Sequence, residues 1–332
     1  MKKVLIVGYF GYGNMGDEVS LLIIKKHLDE LCMPYHVLGG DKPTSPIFRL
    51  TSLRGALLES SAVLFCGGNL LQNETSNRSL FYYLYVTRLA KAMKIPVFFA
   101  GGGIGAIRGT SAKRQVEKAL FGIDFFGART PYDFESIRSF AIKRKIPMPD
   151  ICFTLPSKSE KKRDVFAYIP KSRDTATEGK IIAIAQSRCL SPIIIPLDYS
   201  RDFKVCRDIG KRLGAPITVF NSSEELISKL SACRFTVSER LHGAIFSLLG
   251  HTPVFLSDRE EKCRALIDNI DWLSSAFGIS SPLNPLFQLD SEKIKELGAH
   301  SSEFDVILNN LKSASFTGLS KLFQHLHAAL LL

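Results

Sequence analysis

No two of the seven cysteines stand at C-x-x-C spacing; they lie scattered at positions 32, 66, 152, 189, 206, 233 and 263. Neither a zinc ribbon nor a disulfide framework is written in that pattern, which points to a reducing compartment. No stretch approaches the roughly 20 apolar residues that a membrane-spanning helix needs. The run Val4 to Val7 is too short for a secretory leader. Tandem repeats and low-complexity tracts are lacking too, which sets aside solenoids and disorder. Acidic residues are outnumbered, 32 against 43 Lys and Arg, for a net charge of +11. That balance suits an anionic ligand, a nucleic acid or an anionic membrane surface. The densest basic run, Lys158 to Arg163, has no aromatics interleaved and reads as a solvated linker, so nucleic acid is not an expected partner. The expected location is the cytoplasm, with peripheral contact at the inner face of the membrane as a minor reading. That reading rests on apolar residues at helical spacing near the end of the chain, Leu319, Leu322, Phe323, Leu326 and Leu330.

The 332 residues exceed one ordinary core and suit two domains of about 150 residues each. Short apolar runs alternate with helical periodicity throughout. Strands are expected at 4–7, 35–38, 62–65, 97–100, 123–128, 165–169, 181–185, 193–195, 217–220, 235–238 and 254–256, and near-continuous apolar runs of this kind belong to parallel sheets buried on both faces. The reading is an α/β protein of two Rossmann-like, doubly wound domains facing a cleft. Residues 1–150 form the first domain, 151–179 an interdomain region rich in proline and charge, 180–300 the second domain, and 301–332 C-terminal helices.

Ligands of such sheets bind outside the carboxyl ends of the strands. Three strands in the first half run into glycine-rich loops: Gly8 to Gly16, Gly67-Gly68-Asn69 and Gly101 to Gly105. Asn14 and Asp17 could touch a ligand there or cap the following helix. Arg129 follows another strand. In the second half Arg240 leaves a strand, His242 opens the helix behind it, and Lys262 begins the helix after the next strand. Each cation alone is as readily an ion-pair partner, and His242 a helix cap. Together they make a candidate anion site, and an imidazole is suited to moving a proton near neutral pH.

The series Gly8, Gly11, Gly13, Asn14, Gly16, Asp17, Glu18, then Gly67 to Tyr83, Gly103 to Gly105 and Arg240-Leu241-His242 resembles the polysaccharide pyruvyl transferase family, and within it the cell-wall branch called CsaB. The resemblance implies a GT-B-like fold and transfer of an enolpyruvyl unit from phosphoenolpyruvate onto two hydroxyls of one sugar. The implied acceptor is a lipid-diphosphate-linked saccharide carrying N-acetylmannosamine, and no metal or cofactor is implied. By position the donor ligands would be Arg129, Arg240 and Lys262, with His242 and Arg240 catalytic. Gly13, Asn14, Asp17, Gly68, Asn69, Gln72 and Arg78 would face the acceptor. The chain departs from the family at Asn69, Asn73, Gly102, Ala106 and the 170–177 region. Alternative readings are a GT-B glycosyltransferase using a nucleotide sugar and a saccharide-binding relative without turnover. A nicotinamide-dependent oxidoreductase is more distant, because the first loop departs from the dinucleotide fingerprint.

Overall fold

In a computed structural model of the chain, residues 3–39, 46–74, 76–297 and 301–331 are described. The chain divides into two compact units. The first comprises residues 1–12, 16–154 and 313–332, and the second residues 13–15 and 155–312.

The first unit alternates β1 (Lys3–Val7), α1 (Met15–Glu30), β2 (Tyr35–Val37), α2 (Pro46–Leu58), β3 (Ser60–Cys66), α3 (Asn77–Ala92), β4 (Val97–Gly102), α4 (Thr110–Leu120), β5 (Phe125–Ala128), α5 (Pro131–Ser136) and β6 (Lys145–Pro147). The strands form one parallel sheet in the order β2-β1-β3-β4-β5-β6. Phe65, Phe99 and Phe126 stand side by side on adjacent strands, their ring centres 4.4 and 5.1 Å apart. Phe98 and Phe125 repeat the pattern at 6.5 Å. Stacked rings across neighbouring strands add to the area they bury.

The second unit holds β7 (Val165–Ile169), α6 (Thr175–Arg188), β8 (Ser191–Ile194), α7 (Tyr199–Leu213), α8 (Ser223–Ser231), β9 (Thr236–Ser238), α9 (Leu241–Leu249), β10 (Val254–Leu256), α10 (Glu261–Phe277), β11 (Leu283–Pro285) and α11 (Ser291–Glu296). Its parallel sheet runs β11-β10-β9-β7-β8. A last helix, α12 (Ser301–Leu331), gives its first part to the second unit and its remainder to the first. Leu319, Leu322, Phe323 and Leu326 are buried, and the Phe323 ring stacks on His27 at 5.3 Å. Four of the five residues of the apolar stripe considered for membrane contact are thus covered by protein, and Leu330 is half-buried. Among the described residues no helix is long and apolar enough to cross a membrane.

Several expectations need correction. Ile181 to Ala185 is not a strand but the middle of α6. Asp174 caps this helix by accepting from Ala176 N–H at 3.2 Å, and Thr177, Ile181 and Ile184 form its buried face. Five apolar residues in a row fit a buried helix as well as a strand. Ile217 to Phe220 contributes only a single bridge, from Ile217 to Ile194. The strand expected at 165–169 is present as β7, but it is a central strand of the second sheet and so draws part of the stretch read as interdomain into that unit. Gly13 to Met15, expected in the first domain, belong to the second unit, because their backbone pairs there: Met15 N–H donates to Leu197 O at 2.9 Å and Tyr199 N–H to Gly13 O at 3.0 Å.

Strand order fixes where each unit can bind. In the first sheet the winding reverses between β1 and β3, and in the second between β7 and β9. The crevices beyond these carboxyl ends are the binding positions of open parallel sheets.

Candidate functional site

In the second unit β9 ends at Ser238, whose hydroxyl donates to the Arg240 carbonyl at 2.8 Å and accepts from the Arg240 N–H at 3.1 Å. This pair of bonds turns the chain out of the strand, and Arg240 precedes α9 with extended backbone. A Cβ at Gly243 would overlap Ser238 Oγ and lie 2.9 Å from Ile169 Cδ1, so only glycine lets the first turn of α9 lie on the sheet. His242 sits in that turn, buried, with its ring 6.2 Å from Phe246.

The Arg240 side chain does not cap the helix. Its Nε donates to Asp202 Oδ2 at 3.0 Å and its Nη2 to Asp202 Oδ1, a two-point grip by a fully buried carboxylate on α7. Two parallel bonds of this kind fix a guanidinium in position and plane. The neighbouring Glu239 does not pair with Arg240. It accepts from Tyr168 Oη at 2.7 Å, from the N–H groups of Lys171 at 3.1 Å and Ser172 at 3.2 Å, and from Ser172 Oγ at 3.3 Å. Burial, reinforced by Glu239, drives the Tyr168 hydroxyl far above its ordinary range, so it stays a donor. Burial first, and Asp202 second, push the nearby Cys206 thiol up to about 12, which leaves it inert. Lys262, in the first turn of α10, pairs with Glu260 at 3.0 Å. Gly13 and Asn14 join this unit at the loop after β8, where Asn14 bridges Asp198. Gly13 adopts φ +78°, a left-handed conformation that suits glycine.

In the first unit Asp17, in the first turn of α1, is buried against the turn after β3. A Cβ on Gly67 would come within 2.9 Å of its Oδ1 and one on Gly68 within 3.1 Å. Gly67, which also adopts φ +87°, has no room for a side chain before this carboxylate, and Gly68 lies tight against the same oxygen. Asn69 accepts from Arg129 Nη2 through its Oδ1. Gly103 is the residue that makes room for this pair, since a Cβ there would meet both side chains. Arg129, expected as a donor-substrate ligand, is buried and ion-paired: its Nη1 lies 3.5 Å from Asp150 Oδ2 and its side chain is only 4% exposed. Its Nε has no hydrogen-bond partner among the described residues. Asp133 stands on the same turn, accepting from Ile104 N–H at 2.7 Å and Thr130 N–H at 3.0 Å. Burial raises its carboxyl above the ordinary range against the opposing pull of Arg129 and these bonds. Gln72 packs beside Gly105, and Arg78 is exposed on the first turn of α3. Asn73 clasps the loop after β4, donating to Arg108 O at 3.0 Å and accepting from Arg108 N–H at 2.7 Å. Asn73, a departure from the family pattern, therefore has a structural task.

The structure thus gathers Arg240, His242 and Lys262 on the carboxyl side of the second sheet, and Asp17, Gly68, Asn69 and Gln72 on that of the first. Asp202 and Asp133 carry no signal in the sequence as partners, and Glu239, the sequence neighbour that offers Arg240 an ion pair, bonds to Tyr168, Lys171 and Ser172. An acid in the first turn of a helix ordinarily signals only the helix dipole, and Asp202 is 38 residues from its arginine.

The family model described as polysaccharide pyruvyl transferase matches residues 14–260. A search of curated protein sequences finds no match. Among solved structures, the UDP-GlcNAc 2-epimerase of Neisseria meningitidis bound to UDP-GlcNAc superposes with a TM-score of 0.58 at 14% identity, covering 97% of this chain and 100% of that one. The Methanocaldococcus jannaschii UDP-GlcNAc 2-epimerase in complex with UDP-GlcNAc and UDP gives 0.60 at 11% identity, with 97% and 100% covered. UGT89C1 of Arabidopsis thaliana complexed with UDP gives 0.56 at 12%, with 98% and 100% covered. These neighbours share the GT-B architecture of two parallel-sheet α/β domains, and at such identities the likeness is one of fold.

Proposed function

The chain belongs to the polysaccharide pyruvyl transferase family, and from that premise we propose that it transfers pyruvate from phosphoenolpyruvate to a saccharide precursor of a cell-surface polysaccharide, closing a cyclic ketal on one sugar. The acceptor in this reading is a lipid-diphosphate-linked saccharide bearing N-acetylmannosamine, as in the CsaB-type branch. The observation that carries the proposal is the Arg240-Leu241-His242 turn at the switch point of the second sheet, with Arg240 held in one plane by Asp202.

Phosphoenolpyruvate bears a carboxylate and a phosphate, and a fixed guanidinium beside an ammonium answers both. Arg240 and Lys262 would supply these charges. His242 delivers a proton to C3 of the enol as C2 becomes cationic, and one sugar hydroxyl adds to C2 with loss of its proton. The second hydroxyl then displaces phosphate from C2 and gives its proton to the departing phosphate, which closes the ketal and releases inorganic phosphate. Positioned acid–base groups contribute about 10² to 10⁴ in rate. On the acceptor side Asp17 accepts a hydroxyl proton, while Gly68, Asn69, Gln72 and Arg78 line the approach. Arg129 serves there by fixing Asn69. No cofactor beyond the donor substrate is required.

The test is phosphate release from phosphoenolpyruvate with and without a lipid-linked aminosugar acceptor. Acceptor-dependent release that falls at least about a hundredfold in His242→Gln, with unchanged thermal unfolding, is expected. Acceptor-independent behaviour, or competition by UDP, would turn the reading toward a nucleotide-sugar enzyme.

A further inference from the structure

Beyond β7 the chain is pinned at the switch point by Glu239, which is 5% exposed and takes the N–H groups of Lys171 and Ser172. The backbone there is fixed, and the Lys171 side chain projects from it to Glu260. Glu260 is held from two sides, with Lys171 Nζ on Oε1 and Lys262 Nζ 3.0 Å from Oε2. It stands directly before α10 yet its side chain caps none of the helix N–H groups. Arg259, beside it, closes on Asp174 at 2.6 Å and ties the end of the same loop to the start of α6. Unlike Arg129, the two ammonium groups reach water, with Lys171 43% and Lys262 33% exposed, while Glu260 is 23% exposed and its Oε1 is buried beneath them.

Two ammonium groups astride two oxygens of one anionic group present an arrangement that two oxygens of a phosphate can adopt equally. A phosphate monoester brings more charge than a carboxylate and three strong acceptors. We propose that Lys171 and Lys262 form a two-ammonium clamp for a phosphate monoester, and that Glu260 is its internal occupant, expelled when the ligand enters. The identification of the ligand as phosphoenolpyruvate rests on the reading above; the clamp itself does not. Lys171, in the region where the chain departs from its family, thereby becomes a phosphate-binding residue, and Glu260 sets the affinity by competing.

Binding of inorganic phosphate and of phosphoenolpyruvate to the full-length protein is measured by calorimetry at fixed ionic strength, beside acceptor-dependent turnover. Lys171→Ala keeps the backbone bonds to Glu239 and should weaken binding of both anions about tenfold, the loss of one charge-assisted contact. Glu260→Gln should tighten both severalfold, and Lys204→Ala on the exposed side of α7 should change neither. Melting curves of all variants should match the parent. A parent protein that binds no phosphate, or an affinity unmoved in both Lys171→Ala and Glu260→Gln, overturns the clamp, even where phosphoenolpyruvate is turned over. Phosphate binding that follows the expected order in a protein that does not consume phosphoenolpyruvate keeps the clamp and removes the pyruvyl donor.

Discussion

Asp202 has no exposed surface, and its carboxylate serves the Arg240 guanidinium and the N–H of Asp198 at 3.0 Å. Replacing it by Asn keeps the shape but sets an NH₂ group against a cation. The expected result is a KM for phosphoenolpyruvate raised about tenfold with a smaller change in kcat, which steady-state kinetics would read. Asp202→Ala, which strands Arg240, should cost about 3 kcal/mol in denaturant unfolding. Lys162 offers a pH test. It donates to His251 O at 3.2 Å and Thr252 Oγ1 at 2.7 Å, just beyond the end of α9. Burial above all, aided by Arg234 and opposed by Cys233, lowers it to about 8 from its ordinary 10.5. Between those values the unfolded chain binds the extra proton, so this group contributes stability that rises with pH. The penalty is complete below pH 8. The unfolding free energy of the parent minus that of Lys162→Met should therefore climb as pH rises from 8 to 10.

The turn from β9 into α9 depends on the lack of a side chain at Gly243. Gly243→Ala should lift the first turn of α9 off Ser238 and Ile169, at about 1–3 kcal/mol of stability. A crystal structure should show Arg240 and His242 displaced, with turnover lost beyond what the destabilisation explains. This element was readable in advance: strand formers, then Arg240 and His242, then an apolar helix closed by Gly250. Most of the parallel strands were readable for the same reason, since strands buried on both faces are unbroken apolar runs. Where the reading failed, the cause was physical. The run Ile181 to Ala185 carries no period of its own, and its helical state is decided by the Asp174 cap and by packing across its buried face. The partners of the site residues were harder still. Glu239 sits next to Arg240 in sequence yet bonds 68 residues away to Lys171, because the sheet order brings β7 beside β9.

The two-unit architecture followed from the strand–helix rhythm, whereas the route of the chain between the units did not. Nothing in residues 301–332 announces that one helix serves both. The core of the first unit depends on its last part: Leu322 is fully buried, and Gly318 lies against Met148, where a Cβ would come within 3.0 Å of Met148 Cβ. Leu322→Ala should cost about 2–5 kcal/mol. Hydrogen exchange should place the loss of protection in β5 and α1 of the first unit, with the second sheet unaffected.

The pairing of Gly13 to Met15 with the strand end at Leu197 and Tyr199 bears on biosynthesis. During translation those early residues emerge long before their partners, so the opening motif stays unfinished until the ribosome has passed Tyr199. A gene cut between the units near residue 155 would strand this short segment on the wrong fragment. For split or permuted versions, the piece holding the second sheet should regain its native backbone pairing only when Gly13 to Met15 are supplied with it.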